Sequence, residues 1–250
     1  MTRMAHAPQP DLPIDTDNLT LVYQPMIEAR SGRVIAFEAL LRRREPDGSM
    51  SGPQAVLSRL KSPDALAALD YWVMARACHD AGAWRHIGVS VNIAASTLIR
   101  PGFPEDAIRI VGQSRLPEHL VELEVVETGL IEDFEAALVN IERLRAAGIR
   151  VAMDDFGTGY SSLSYLVKLT VDTIKIDKCF IDEIEAIRSV AVIQATIALA
   201  RTMGMKVTAE GVETLEQAET LRVLGCHYLQ GFHFARPMNV EQVAAYLAGV

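Results

Sequence analysis

The feature that most constrains the fold is a recurring unit in which a helical stretch ends at a glycine and a short apolar run follows. It occurs as RLRAAGIRVAM, LARTMGMKVTA and LRVLGCHYLQ, and less regularly as DAGAWRHIGVSVNI. Glycine is favoured just after a helix because it adopts the left-handed conformation there, so Gly148, Gly204 and Gly225 are predicted to end helices. Each unit therefore predicts a helix followed by a β-strand.

Eight segments in all predict strands, because apolar and β-branched residues dominate them. They are LTLVYQPMI, VIAFEALL, GVSVNI, LVELEVV, RVAM, VDTIKI, KVTA and HYLQ. Strands that alternate with helices over 250 residues, half of them apolar, are typical of one closed α/β barrel, the (β/α)8 or TIM-like fold. An open doubly wound sheet is the alternative, but no early G-x-G-x-x-G follows a strand to favour it. We predict one barrel domain over residues 19–250, preceded by a poorly ordered tail or leader at 1–18.

Composition excludes several classes of protein. A formal net charge of -8 argues against binding long nucleic acid, which requires a basic surface. Cys78, Cys179 and Cys226 are odd in number and widely spaced, so neither a disulfide framework nor a zinc site is indicated. The most apolar span, VAVIQATIALA, is too short to cross a bilayer. We expect a soluble cytoplasmic protein without direct membrane contact.

Polar side chains collect at the predicted strand ends. They are Glu38 inside VIAFEALL and, near the ends of later strands, Asn92, Glu124, Asp154, Asp155, Lys175, Glu210 and Gln230. In a barrel these ends converge on one face, where loops build the active site. Any single carboxylate could be a buried acid with a purely structural role, but that explanation fails for the whole set.

The donor set predicts a hard divalent ion. Five carboxylates and an asparagine supply oxygen only, which suits Mg²⁺ or Mn²⁺ and not a thiophilic metal. One magnesium ion rarely needs so many protein ligands, whereas two ions bridged by a carboxylate would use them and could activate water against a phosphodiester. Cations would also explain why Asp154 and Asp155 stand side by side.

At this point the sequence resembles the EAL-domain cyclic di-GMP phosphodiesterases. The motifs that carry the resemblance occur in the family's order across nearly the whole chain: YQP, EALLR, VN, ELEVVET, DDFGTGYSSL, IKID, AEGVET and LQGFHFARPM. Eight short motifs in this order are highly specific. Family enzymes open one phosphodiester bond of cyclic di-GMP to give linear 5′-pGpG, and the resemblance implies that activity here.

The resemblance also implies residue roles. One ion would be held by Glu38, Asn92, Glu124 and Asp154, and the second by Asp154, Asp155 and Glu210. Lys175 would orient or deprotonate the attacking water, and is grouped with Glu38 and Glu210 as catalytic. The expected substrate contacts are Gln24, Leu40, Arg42 and Gln230, with Arg42 suited to a phosphate oxygen and Gln230 supporting the site by hydrogen bonding.

The loop after the paired aspartates has its own expected role. Gly157 and Gly159 permit unusual backbone conformations, and in the family this loop couples metal binding to dimer contacts. Glu127 occupies the position of the family's loop anchor. An ordinary tight turn is the alternative for the glycines. We expect a homodimer, formed near this loop through SYLVKL and the stretch from Cys179 to Val192, and we expect calcium to inhibit.

Some features depart from this interpretation or compete with it. Ala94 and Val126 stand where the family commonly has hydroxyl-bearing residues, and Glu122, deeper in the barrel than Glu124, has no evident partner. A member of the same family that binds cyclic di-GMP or a protein and cuts nothing is one alternative. An enolase-type barrel acting on a carbon acid is another, although it would not explain EALLR. Lys175 could also serve only as a buried partner of Glu122 or another acid.

Overall fold

The computed structural model describes residues 16–84, 86–126, 133–157 and 168–249. Residues 1–15 of the expected tail lie outside these ranges, so that expectation stays a prediction. Thr16–Asn18 form one 3₁₀ turn that leads directly into the first strand.

Within the described ranges, nine strands form one sheet. They are β1 Leu19–Glu28, β2 Val34–Arg44, β3 Met50–Ser51, β4 Gly88–Asn92, β5 Val121–Val126, β6 Arg150–Phe156, β7 Thr173–Ile176, β8 Lys206–Ala209 and β9 Tyr228–Gln230. The order β1-β9-β8-β7-β6-β5-β4-β2 closes on itself because β1 also pairs with β2, while β3 pairs only with the last two residues of β2 and is not part of the ring. The predicted eight-stranded barrel is therefore confirmed.

The first strand departs from the regular (β/α)8 pattern. β1 runs antiparallel to both of its neighbours, whereas all the other barrel strands pair in parallel. Only residues 29–33 separate β1 from β2, and a parallel connection needs a dozen or more residues for its crossover. The first unit is consequently a hairpin, and the helical crossovers begin after β2.

Nine α-helices occur among the described residues. They are α1 Gln54–Leu57, α2 Pro63–Ala81, α3 Ala95–Leu98, α4 Phe103–Gln113, α5 Phe134–Ala146, α6 Lys178–Asp182, α7 Ile187–Thr202, α8 Leu215–Leu224 and α9 Val240–Ala248. Local chemistry sets several boundaries: Ser62 caps α2 with its side chain, and Thr214 begins α8 with a capping box. Gly148, Gly204 and Gly225 all have positive φ, as predicted for residues that end helices.

The hydrophobic core lies between the outer face of the barrel and the helices. Val89, Val91 and Leu123 are fully buried and alternate with the polar residues of the inner face. No helix in the described part of the chain combines the length and apolar character needed to cross a bilayer. The strands thus bury their apolar faces outward and leave their inner faces for polar side chains.

Candidate active site

The centre of the site is the ammonium group of Lys175, the next-to-last residue of β7. Lys175 Nζ lies 2.6 Å from Glu124 Oε2 and 2.6 Å from Glu210 Oε1, so strands β5 and β8 are joined through one cation. Asp154 Oδ1 is 3.5 Å away and Glu38 Oε1 is 3.9 Å away. The convergence predicted from the strand ends is therefore present, with Lys175 in the middle of four acids.

Two amides hold Glu38 in place. Asn92 Nδ2 donates to Glu38 Oε1 at 2.7 Å, and Gln230 Nε2 donates to Glu38 Oε2 at 2.6 Å. The register places Asn92 on β4 and Gln230 on β9, so these bonds reach Glu38 from both sides of β2. Both oxygens of Glu38 are thereby oriented before any ligand arrives.

A bulge in β6 explains the adjacent aspartates. The pairing of β6 with β7 shifts between Met153 and Phe156, so that Asp154 and Asp155 lie within the irregularity. Asp155 has φ +55°, a left-handed conformation that aspartate tolerates better than most residues. Side chains of successive strand residues normally alternate between faces, and a bulge redirects one of them. Gly157, which follows, also has positive φ.

The acids of the cluster differ in their affinity for a proton. Burial raises the pKa of Glu38, but Lys175 and the two amide donors outweigh it and leave the pKa below its ordinary value. Burial raises the pKa of Glu210 to about 8, and it raises the pKa of Glu124 well above the usual range although Lys175 opposes the effect. For Asp155, burial and the neighbouring Asp154 raise the pKa. Too many acids share one ammonium for all to ionise freely.

Burial acts on the pKa of Lys175 in the opposite direction to its effect on the acids. Burial lowers its pKa, but the charges of Glu124 and the other three acids prevail and raise it well above the ordinary value. Its side chain is only 1% exposed. Without a metal ion, Lys175 is thus a fully charged ammonium in the barrel interior.

The residues present fit a hard divalent ion. Glu124 Oε1 is buried and has no hydrogen-bond partner among the described residues, an arrangement that is costly unless something else binds that oxygen. The surrounding donors are carboxylate and amide oxygens, as Mg²⁺ and Mn²⁺ prefer. In the described ranges no three acids, histidines or cysteines are already gathered in a metal-binding arrangement, because Lys175 lies among the carboxylates. Metal binding would require these side chains to adjust around the ammonium.

A cavity of about 790 Å³ opens beside the cluster. Asn92, Asp154 and Asp155 line its polar end, and leucines of β2, α1 and α2 line the rest. Leu40 is part of this wall, and its role as a substrate contact stays a prediction. The cavity is large enough for a ligand of nucleotide size.

The other predicted substrate contacts lie around the cluster and not in the cavity wall. Gln24 Nε2 donates to the Ala235 carbonyl at 3.2 Å, and its Oε1 lies 3.5 Å from Gln230 Nε2. Arg42 is partly buried and donates from Nη1 to the Leu41 carbonyl at 2.8 Å. Glu38 acts on the Arg42 charge, although burial is the larger influence and lowers the pKa of Arg42. Their roles as substrate contacts stay predictions, and the expected anchor Glu127 and Gly159 lie outside the described residues.

Sequence reasoning missed Asp70, which also lines the cavity. Its carboxylate is buried in α2 and accepts the Ala94 amide at 3.1 Å, two residues beyond Asn92. Burial raises the pKa of Asp70 to about 7. An aspartate inside the apolar run ALAALDYW is the signal that could have identified it, because charged residues seldom occupy the buried face of a helix.

Glu122, which had no evident partner in the sequence, has two in the structure. The Thr173 hydroxyl donates to Glu122 Oε2 at 2.8 Å, and Arg150 Nε lies 3.9 Å from the same oxygen. The sequence suggested Lys175 as a possible partner of Glu122, but Lys175 contacts Glu124 and Glu210 instead. Lys175 therefore does form ion pairs with buried acids, but Glu122 is not one of them.

The fold and site define an α/β barrel with an acidic cluster of oxygen donors at the carboxyl ends of its strands. A family model described as "EAL domain" matches residues 9–237. The chain therefore belongs to the EAL-domain cyclic di-GMP phosphodiesterase family, which confirms the resemblance inferred from the motifs.

Named relatives agree with this assignment. Cyclic di-GMP phosphodiesterase NbdA of Pseudomonas aeruginosa is 38% identical over 237 residues, which cover 92% of this chain and 30% of NbdA. The chain spans about a third of the length of several such curated relatives.

Solved structures extend the likeness to three dimensions. The PaMucR phosphodiesterase in complex with c-di-GMP aligns with a TM-score of 0.85 and 36% identity, covering 91% of this chain and 94% of that one. Klebsiella pneumoniae BlrP1 in a manganese and cyclic di-GMP complex aligns with a TM-score of 0.80 and 30% identity, covering 94% of this chain and 59% of that one.

Proposed function

We propose that this barrel hydrolyses one phosphodiester bond of cyclic di-GMP to linear 5′-pGpG with two divalent ions, Mg²⁺ or Mn²⁺. The observation that carries the proposal is the gathering of Glu38, Glu124, Asp154 and Glu210 around Lys175, next to a cavity of about 790 Å³. Membership of the EAL family and the cyclic di-GMP complexes of its solved relatives support the choice of substrate.

Two overlapping sets of residues would hold the ions. They are Glu38, Asn92, Glu124 and Asp154 for one ion, and Asp154, Asp155 and Glu210 for the other. Bound divalent ions would neutralise these acids, acidify water and stabilise negative charge on phosphate oxygens. Glu124 Oε1, which is buried and lacks a hydrogen-bond partner within the described ranges, is available for this purpose.

The chain's own groups would position the reactants. Lys175 is an ammonium with several donors, so we assign it the orientation of the attacking water by hydrogen bonding. Asn92 and Gln230 keep both oxygens of Glu38 fixed, which reduces the reorganisation needed when substrate binds. Arg42 would contact a phosphate oxygen, and Leu40 would contact an apolar surface of the dinucleotide.

The experiment is incubation of purified protein with cyclic di-GMP and Mg²⁺ or Mn²⁺, followed by chromatographic separation of the nucleotides. We expect conversion to 5′-pGpG that chelation abolishes, and we expect calcium to inhibit because it prefers a larger and looser coordination shell. Glu38→Ala should lower turnover by orders of magnitude without unfolding the barrel. An unchanged substrate peak with folded, metal-loaded protein would instead favour a receptor that binds cyclic di-GMP without cutting it.

A further inference from the structure

A second connection between β5 and β7 lies one layer beneath the active site. The buried Thr173 hydroxyl donates to the buried Glu122 carboxylate at 2.8 Å. Residues two positions apart along a strand share a face, so Glu122 lies below Glu124 and Thr173 lies below Lys175. The lower pair therefore repeats the strand-to-strand connection that Glu124 and Lys175 make at 2.6 Å.

Both connections cross β6, which lies between β5 and β7 in the sheet. Ala152 is the β6 residue that pairs with Glu124 on one side and with Thr173 on the other. Its small, fully buried side chain leaves room for Glu122 to reach across the strand. Arg150, the first residue of β6, pairs with Glu122 in the sheet register, and its Nε lies 3.9 Å from Glu122 Oε2, too far for a hydrogen bond.

We propose that Glu122 and Thr173 are positioning residues that set the separation of Glu124 and Lys175. A hydrogen bond to a buried carboxylate is stronger than one between neutral groups, and close packing transmits a change in one layer to the next. Loss of the Thr173 hydroxyl would leave Glu122 with an unpaired buried oxygen and would loosen β5 relative to β7. Neither residue touches the reacting atoms. The kinetic and metal-affinity parts of this inference rest on the proposed function, whereas the Lys175 resonance in the metal-free protein does not.

The barrel contains a matched control. Thr208 on β8 is also fully buried and lies two residues before a site acid, Glu210. Its hydroxyl contacts only the Met26 sulfur, at 3.9 Å, among the hydrogen-bond contacts found in the described residues. Thr208 pairs with Lys175 in the sheet register, so Thr208→Val removes the same atom from a position beside the same lysine without breaking a hydrogen bond between site strands.

The experiment compares Thr173→Val, Thr173→Ser and Thr208→Val by three measurements. Nuclear magnetic resonance of the metal-free protein follows the ε-methylene signal of Lys175, one of only five lysines in the sequence. Calorimetry gives the affinity for Mn²⁺, and steady-state kinetics separate kcat from KM. For Thr173→Val we expect a shifted Lys175 signal, about tenfold weaker Mn²⁺ binding and about tenfold lower kcat with KM nearly unchanged.

Thr173→Ser keeps the hydroxyl and should recover most of each effect, while Thr208→Val should resemble the wild type. If Thr173→Val leaves the Lys175 signal and the Mn²⁺ affinity as Thr208→Val does, the pair does not position the site and the inference is wrong, whatever the effect on thermal stability. If Thr173→Val does not fold, the same comparison with Glu122→Gln decides between these outcomes. The resonance result stands even if the wild-type protein does not cut cyclic di-GMP.

Discussion

Replacement of Lys175 by methionine should destabilise the metal-free protein strongly. Methionine roughly preserves the volume of the side chain but removes the cation that contacts four acids, including Glu124, which is 0% exposed. Removing one partner of a buried ion pair typically costs about 3–5 kcal/mol. For a domain of this size each kcal/mol shifts Tm by about 2–4 °C, so the expected loss is about 6–20 °C.

The dependence on pH and metal distinguishes this explanation from a simple packing defect. The pKa of Glu210 is raised to about 8 even though Lys175 lowers it, so loss of the cation raises it further; Glu210 then takes up a proton as pH falls, and the loss for Lys175→Met should shrink. Mn²⁺ should also restore much of the stability, because the variant keeps every proposed oxygen ligand and ligand binding stabilises the folded state.

The assay is thermal unfolding followed by circular dichroism, at pH 8 and at lower pH in chelator, and again at pH 8 in saturating Mn²⁺. Lys178→Met is the matched control, because this lysine makes its ion pairs with Asp182 and Glu213 at the surface, where such pairs contribute about 0–1 kcal/mol. The metal-loaded Lys175→Met protein should bind cyclic di-GMP and leave it uncut. Equal melting temperatures for Lys175→Met and wild type in chelator would refute the electrostatic reasoning, and normal turnover by the rescued variant would refute the catalytic assignment.

Three further predictions concern substrate contact, pH and self-association. Arg42→Ala should raise KM more than it lowers kcat if the guanidinium contacts a phosphate, and steady-state kinetics showing a change in kcat alone would contradict this role. Asp70 has a pKa of about 7 in the folded protein, above its unfolded value, so its ionisation removes stability as pH rises toward and through 7. Asp70→Asn should therefore be more stable than wild type by up to about 4 kcal/mol at pH 8 and up to about 2 kcal/mol at pH 5, measured by urea unfolding; equal differences at both pH values would count against it. Ile187 is 88% exposed at the start of α7, and the protein should sediment as a dimer at micromolar concentration with Mn²⁺ and substrate analogue, a prediction that a monomer under these conditions would defeat.

The sequence predicted the barrel and the membership of the acidic cluster because both depend on local patterns. Strand ends in a closed parallel sheet meet on one face, so Glu124 and Lys175 could be placed together without knowledge of their distance. The antiparallel β1 was not anticipated, although its signal was present in the short connection before Val34. The glycines that follow helices could be predicted equally well, since few residues other than glycine readily adopt the left-handed conformation found there.

The remaining features depend on contacts between distant segments. Glu122 meets Thr173 across an intervening strand, and Asp70 reaches Ala94 from a helix on the outer layer. Neither contact follows from a periodic pattern along one element, because each requires the relative placement of two elements. The sequence predicted that Lys175 lies among the acids. Which carboxylates its ammonium contacts, Glu124 and Glu210 and not Glu122, depends on the layer of the barrel in which each acid lies.

Closure of the ring by β1 has a consequence for how the chain folds during synthesis. One edge of β1 pairs with its hairpin partner β2, whereas the other edge pairs with β9, which is synthesised much later. The ribosome adds about 5–20 residues per second, so the roughly 200 residues between these partners take on the order of 10–40 s to appear. During that interval the nascent chain presents a ten-residue strand with one unpaired edge, a template on which another chain can assemble. Slow elongation or a truncation before Tyr228 should therefore favour aggregation of the N-terminal hairpin, and chaperones that cover exposed strands should matter most in the seconds before β9 emerges.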